Sequence, residues 1–164
     1  MLADIVEHLV CPVCGDRMAL GERALRCPAG HAFDVARQGY VSLLTGSQAP
    51  GTADSPAMVA ARDAFLGAGH FDPLADAVAD ACRTAVATAR GAGPAVAAPG
   101  VGTADAEAGA VVADAGAGTG HYLARVLDRL PGAAGIALDV SKHAVRRAAR
   151  AHPRLGAVVA DVWR

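Results

Sequence analysis

Cys11, Cys14, Cys27 and His31 stand in the spacing Cys-x2-Cys-x12-Cys-x3-His. Two thiolates on a Cys-Pro-Val-Cys turn approach a cation from one side. A second knuckle, Cys27-Pro-Ala-Gly-His31, closes on it from the other. Three sulfurs and one imidazole nitrogen suit Zn²⁺, and four protein ligands leave no position open to water, so the ion is expected to be structural. A segment this short cannot hold itself together by core burial, and a metal supplies the missing folding energy. His8 is an alternative fourth ligand, and a redox Cys-x-x-Cys is an alternative use of Cys11 and Cys14. His31 is preferred because it completes a knuckle with Cys27, and no thioredoxin-like strand precedes Cys11. Cys82 falls on the apolar face of a helical pattern and is expected in the core.

A second constellation is Asp114-Ala-Gly116-Ala-Gly118-Thr-Gly120, between an apolar strand pattern and a helical one. Glycines there let the backbone turn sharply and let a ligand come close. A dinucleotide fingerprint beginning at Gly116 requires glycine at position 121, where this chain has His121. The register suits S-adenosylmethionine better, since that cofactor brings no pyrophosphate to the helix end. Asp114 suits the cofactor's ammonium. Asp139, 19 residues past Gly120, stands where a carboxylate accepts both ribose hydroxyls. Asp161, at the end of a third strand, is a candidate for the adenine amino group. His121 and Tyr122 open the helix at the pocket mouth and are candidates to line it. His70 lies in a break between helices, facing either cofactor or loop. A nicotinamide or flavin site and a ligand-free turn are the competing readings.

The elements that must position these groups follow from pattern. Residues 1–45 hold the cysteine cluster among short, turn-punctuated apolar runs. Residues 46–90 form a helical connector. One helix starts at Ser55-Pro56 with an apolar stripe of Met58, Val59, Ala61, Ala64, Phe65 and Leu66. A second starts at Asp72-Pro73 with Leu74, Val78, Cys82 and Val86 at four-residue spacing. Residues 91–109, rich in Gly, Ala and Pro, read as a flexible linker. From 110 to 164 three strands, AVVADAG, GIALDV and AVVAD (157–161), alternate with helices led by Tyr122 and capped by Ser141, which predicts a parallel sheet. The fold class expected is α/β: a zinc-ribbon-like module followed by a truncated, doubly wound domain of Rossmann-like type. Three strands and two helices make half of such a domain, so the ending at Arg164 reads as a truncation. The first strand would lack a neighbour on one side, an edge that favours aggregation.

Composition narrows the function classes. Apolar residues make up 53% and charged residues 19%, enough for a core. Aromatics at 4% argue against a large base-stacking platform, and a net charge of −1 argues against binding nucleic acid by bulk electrostatics. RNA contact would have to come from local patches such as Arg146-Arg147-Arg150-His152-Arg154, which otherwise reads as the wet face of a helix. No apolar run is long enough to span a membrane, and MLADIVEHLVCP does not read as an export signal, so the expected compartment is the cytoplasm.

The runs CPVC…LRCPAGHAFDVARQGYVSLL, MVAARDAFLGAGHFDPL, VVADAGAGTGHY and GIALDVSKHAV together resemble the bacterial guanine-N1 methyltransferases of 23S ribosomal RNA, a family that includes macrolide-resistance enzymes of antibiotic producers. The resemblance covers nearly the whole chain except the linker. It implies a zinc module that recognises an RNA hairpin, held by Cys11, Cys14, Cys27 and His31. It also implies a domain in which Gly116, Gly118 and Gly120 wrap S-adenosylmethionine and Asp139 binds its ribose. A homodimer with RNA in the cleft is implied too. The reaction would be displacement at the methyl carbon by guanine N1, with most of the rate from positioning. The family's target-base strands have no counterpart here, so the catalytic residue is unknown and the chain alone is expected to be inactive or nearly so. The alternatives are a zinc-ribbon RNA-binding protein with a vestigial methyltransferase half, and a methyltransferase of another substrate.

Overall fold

The computed structural model describes residues 1–46, 53–89 and 108–162. The expected linker at 91–109 therefore lies outside the described residues except for its last two positions.

The chain opens with a 3-10 turn (Val6–His8) and a small antiparallel sheet of β1 (Ala19–Leu20), β2 (Ala24–Arg26) and β3 (Ala32–Asp34), with Leu25 opposite Phe33. The next strand, β4 (Tyr40–Ser42), leaves that sheet and pairs in parallel with β7 (Leu155–Val159). Between them lie α1 (Pro56–Gly67), α2 (Asp72–Ala89), β5 (Val111–Ala115), α3 (His121–Arg129), β6 (Ala134–Asp139) and α4 (Lys142–Ala148). The larger sheet runs β4-β7-β6-β5, with every pair parallel, and is an α/β layer of Rossmann type. Among the described residues β5 pairs with β6 alone.

Local chemistry explains the helix starts. Ser55 accepts from the Met58 amide at 3.3 Å, with Pro56 at the first helical position. Ser141 does the same for Ala144. Helices α2 and α3 are laced together by charge. Asp72, Asp76 and Asp80, one turn apart on α2, face Arg125 and Arg129 of α3, with the closest contacts at 2.8–3.0 Å.

The sheet is covered on both faces, and the two covers differ. Leu155, Ala157 and Val159 of β7 point into a core with Leu123, Val126, Leu127 and Leu130 of α3, Val145 and Ala148 of α4, and Ala79 of α2. The intervening Val158, with Ile136 of β6, points the other way, into a core with Leu2, Ile5, Leu9, Met18, Leu25, Val41, Cys11 and Cys27. The cysteine segment thus occupies the place of a helical layer on one side of the sheet, which is why all five residues of β7 are buried. The fit is tight at Gly156, where an added Cβ would stand 2.4 Å from Ile5 Cδ1. Gly156→Ala is therefore expected to push Ile5 off its seat at a cost of about 1–3 kcal/mol, read as a lower denaturation midpoint at unchanged m-value.

Several expectations change. The sheet has a fourth strand, β4, contributed from residues before the helices, because Val41 and its neighbours find open β7 hydrogen-bonding groups. The strand expected at 157–161 is Leu155–Val159, so Asp161 lies two residues beyond it. The apolar stripe of α1 does not pack as a stripe. Val59 alone on that helix is buried, whereas Met58 and Phe65 are about half exposed. On α2 the buried line is Ala75 and Ala79, with Val78, Cys82 and Val86 half-buried beside it and Leu74 exposed. Cys82 is accordingly at the margin of the core.

Candidate functional site

The ligand atoms of Cys11, Cys14, Cys27 and His31 lie within 4.8 Å of one another. Cys14 Sγ is 3.6 Å from Cys27 Sγ, and His31 Nδ1 is 3.6 Å from Cys11 Sγ and 3.3 Å from Cys27 Sγ. A tetrahedron built on Zn–S bonds of about 2.3 Å has S···S edges of roughly 3.8 Å, so these separations fit zinc. His8 is outside the cluster, in an ion pair with Glu7 at 3.5 Å.

The turn that carries Cys11 also prepares it as a thiolate. Burial opposes its ionisation, but the amides of Val13 and Cys14 donate to the sulfur and outweigh that, bringing its pKa down from 9 to about 7. Cys14 goes the other way. The Asp16 amide favours its thiolate, yet burial, the neighbouring sulfurs of Cys11 and Cys27 and the Asp16 carboxylate together push it up to about 12. A divalent cation resolves this crowding, because only a shared positive charge makes three adjacent thiolates compatible.

The glycine turn follows β5. Gly116, Gly118 and Gly120 all have positive φ, and their surroundings differ. A Cβ at Gly116 would meet nothing within 4 Å, so that backbone is open to a ligand. At Gly120 a Cβ would stand 3.1 Å from Ala148 Cβ, so this glycine lets α3 close against α4 and is enclosed by protein. At Gly118 the neighbour is the side chain of Arg62, from α1.

Asp139 ends β6 with each carboxylate oxygen engaged: Oδ2 accepts from the Gly118 amide at 2.9 Å and Oδ1 from the Ser141 amide at 2.8 Å. It ties the β5–α3 turn to the β6–α4 turn, and each oxygen keeps a second lone pair. A cavity of about 110 Å³ beside it is lined by Gly116, Leu138, Asp139, Val140, Ala160 and Val162. It sits at the carboxyl ends of the parallel strands, where open α/β sheets take their ligands. The groups there, an open glycine backbone, a carboxylate with lone pairs to spare and apolar walls, are of a kind that could take a nucleoside. Asp161 adjoins this edge, half-buried.

Asp114 and Tyr122 face a different cavity, of about 310 Å³, between α2, β5 and α3, with Val78, Cys82 and Val126 among its walls. Burial, and then the charge of Asp139, raise the Asp114 pKa above the usual carboxylate range. A carboxyl whose pKa is higher folded than unfolded opposes folding once it ionises, and that penalty vanishes as pH falls below both values. Asp114→Asn is thus expected to raise Tm at pH 7 with the gain gone in acid, while weakening any cationic ligand. Melts at the two pH values against ligand titration check both halves. His121 packs edge-on to Tyr122 at 5.3 Å between ring centroids, and its buried Nε2 has no partner among the described residues. His70 is exposed and stacks obliquely on Phe65 at 5.8 Å.

The basic stretch divides. Arg154 turns inward and donates to the carbonyls of Leu127, Leu130 and Ala133, closing the end of α3. His152 lies beside Asp128, with its pKa lowered by burial and by Arg154. Arg146, Arg147 and Arg150 remain on the surface, where with His143 they line a groove against Pro56, Val59 and Ala60 of α1.

Sequence reasoning did not find Arg62, Asp54 and Ser141. Arg62 Nη2 meets Asp54 Oδ2 at 2.9 Å, and Ser141 Oγ donates to the Asp54 backbone oxygen at 2.8 Å. Only Ser141 carried a sequence signal, as a helix cap.

Residues 9–48 match the family model of the RlmA N-terminal zinc ribbon. Over 99% of its length the chain is 55% identical to a protein of Micromonospora griseorubida provisionally named 23S rRNA (guanine-N1)-methyltransferase, of which it covers 54%. It is 48% identical, again over 99% of its length, to the 23S rRNA (guanine(748)-N1)-methyltransferase of Streptomyces fradiae, of which it covers 51%. A Bacillus subtilis protein, also provisionally named 23S rRNA (guanine-N1)-methyltransferase, is 38% identical over 43% of this chain and 25% of its own length. The chain spans about half the length of the first two relatives.

Proposed function

We propose that this chain belongs with the 23S rRNA (guanine-N1)-methyltransferases it is similar to, and that it holds zinc and S-adenosylmethionine for methyl transfer to N1 of a guanine in 23S ribosomal RNA. Cys11, Cys14, Cys27 and His31 hold the metal, which is structural because the protein supplies all four ligands. Gly116, Asp139 and Asp161 hold the nucleoside and Asp114 the cationic amino-acid end, with Gly118 shaping the turn, His121 and Tyr122 lining its mouth and Gly120 fixing the helix behind it. S-adenosylmethionine, when bound, supplies an electrophilic methyl group. The residues named here bind and orient, and none is assigned to the guanine.

The observation that carries the reading is Asp139. It is a carboxylate at a strand end that already braces an open glycine turn and still has lone pairs for a diol. The RNA partner is a 23S hairpin, met by the zinc module and by the arginine ridge of α4, in a cytoplasmic homodimer. The segments 1–45, 46–90, 91–109 and 110–164 serve as metal module, connector, linker and cofactor-binding part. No helix among the described residues is long and apolar enough to cross a membrane.

Calorimetric titration with S-adenosylmethionine tests the reading. Micromolar binding supports it, and absence of binding leaves the alternative of a metal-bearing RNA-binding protein.

A further inference from the structure

The geometry points to Arg62 as a specificity-determining residue that receives the carboxylate of the cofactor's amino-acid end. The inference rests on the S-adenosylmethionine reading above and adds a residue to it.

That end of the cofactor carries two charges, an ammonium and a carboxylate, and Asp114 answers only the first. A cation is needed at the same turn. Most arginines of the surrounding helices are already committed. Arg125 and Arg129 are bound to the aspartates of α2, Arg147 to Asp63 at 3.1 Å, and Arg154 to main-chain carbonyls. Arg62, itself held by Asp54, lies over the turn, with Cδ 3.6 Å and Nη1 3.9 Å from the position a Cβ at Gly118 would take.

Its placement is prepared through a closed set of contacts. Gly118 donates to Asp139, and Asp139 accepts from the Ser141 amide. The Ser141 hydroxyl donates to the backbone of Asp54, and the Asp54 carboxylate holds Arg62 Nη2, returning the guanidinium to Gly118. Asp54 takes one corner of the fork, and the Nη1 and Nε donors have no partner among the described residues. A guanidinium is always charged and carries several N–H donors, so those that Asp54 leaves free can donate to a carboxylate oxygen. A half-exposed ion pair such as Arg62–Asp54 contributes little to stability, so this anchoring makes more sense as positioning for a ligand.

The test compares two ligands by calorimetry, S-adenosylmethionine and its decarboxylated form, which keeps adenosine, sulfonium and ammonium. Arg62→Ala is expected to weaken S-adenosylmethionine about tenfold to thirtyfold, roughly the strength of one charge-assisted hydrogen bond, and to leave the decarboxylated form within twofold. Arg62→Lys should recover part of the loss for the carboxylate-bearing ligand only. Equal losses for both ligands would mean that Arg62 merely braces the turn, and no loss for either would mean that it faces solvent; each overturns the inference. If the parent chain binds neither ligand, the cofactor reading itself fails and Arg62 falls with it. Thermal melts of both variants exclude unfolding as the cause.

Discussion

Cys27→Ser is expected to abolish zinc binding and to lower Tm of the entire chain by about 10 °C or more. Structural zinc supplies folding energy of order 10 kcal/mol in small domains, and removing one thiolate leaves the ion three-coordinate and weakly held. In a tethered module the loss would stay local. Here Cys11 and Cys27 are buried in the same core as Ile136 and Val158, so loosening the module uncovers one face of the parallel sheet. Several kcal/mol lost from a chain this size corresponds to a shift of that order, at about 2–4 °C per kcal/mol. Native mass spectrometry gives the metal content and calorimetry the melting profile, with Cys82→Ser as the control that keeps both. Full zinc occupancy and an unchanged melt in Cys27→Ser would show that the ligand set is wrong.

Asp139→Ala is the second large effect. It removes the acceptor of two main-chain amides, at 2.9 and 2.8 Å, that join adjacent strand-to-helix turns. Charge-assisted bonds of this kind contribute about 1.5–3 kcal/mol each, and the stranded amides add a desolvation cost. The expected result is a lower melting temperature and a loss of S-adenosylhomocysteine affinity of about a hundredfold or more, equivalent to roughly 2.7 kcal/mol. Asp139→Asn separates the two roles, since its amide oxygen still accepts one main-chain N–H while the charge facing the ribose is gone. It should melt between the parent and Asp139→Ala, because one main-chain N–H loses its acceptor, and still bind poorly. Parent-like affinity in both variants would remove Asp139 from the cofactor site.

The cluster of Cys11, Cys14, Cys27 and His31 was legible because it is local: two short knuckles close on one point whatever the rest of the chain does. The strand–glycine–helix turn was legible for the same reason, down to Asp139 at the end of β6. The sequence offered no ground to tell the three glycines apart, whereas in the structure Gly120 is also demanded by Ala148 across a helix interface that no sequence window contains. β4 was hidden because a three-residue strand has no periodicity to detect, and among the described residues its partner lies four helices and two strands further along the chain. The α1 stripe misled because periodicity predicts a helix's apolar face without saying that anything packs there, and only Val59 found a neighbour close enough to bury it. Arg62 was invisible, since an arginine on a helix is ordinarily solvated and its role depends on meeting Gly118 in space.

The pairing of Tyr40–Ser42 with Ala157–Val159 sets an order of events during synthesis. The knuckles that grip the ion are complete once His31 has left the ribosome, whereas β4, although made early, waits for more than a hundred further residues before β7 is there to pair with. Metal capture is thus open to the nascent polypeptide well before β4 can dock on β7. Non-local pairing of this kind is slow. Until it happens, the apolar side of the metal knuckle, with Ile5, Leu25 and Val41, is a sticky surface without a cover, so assembly of this protein is most exposed to error between those two moments.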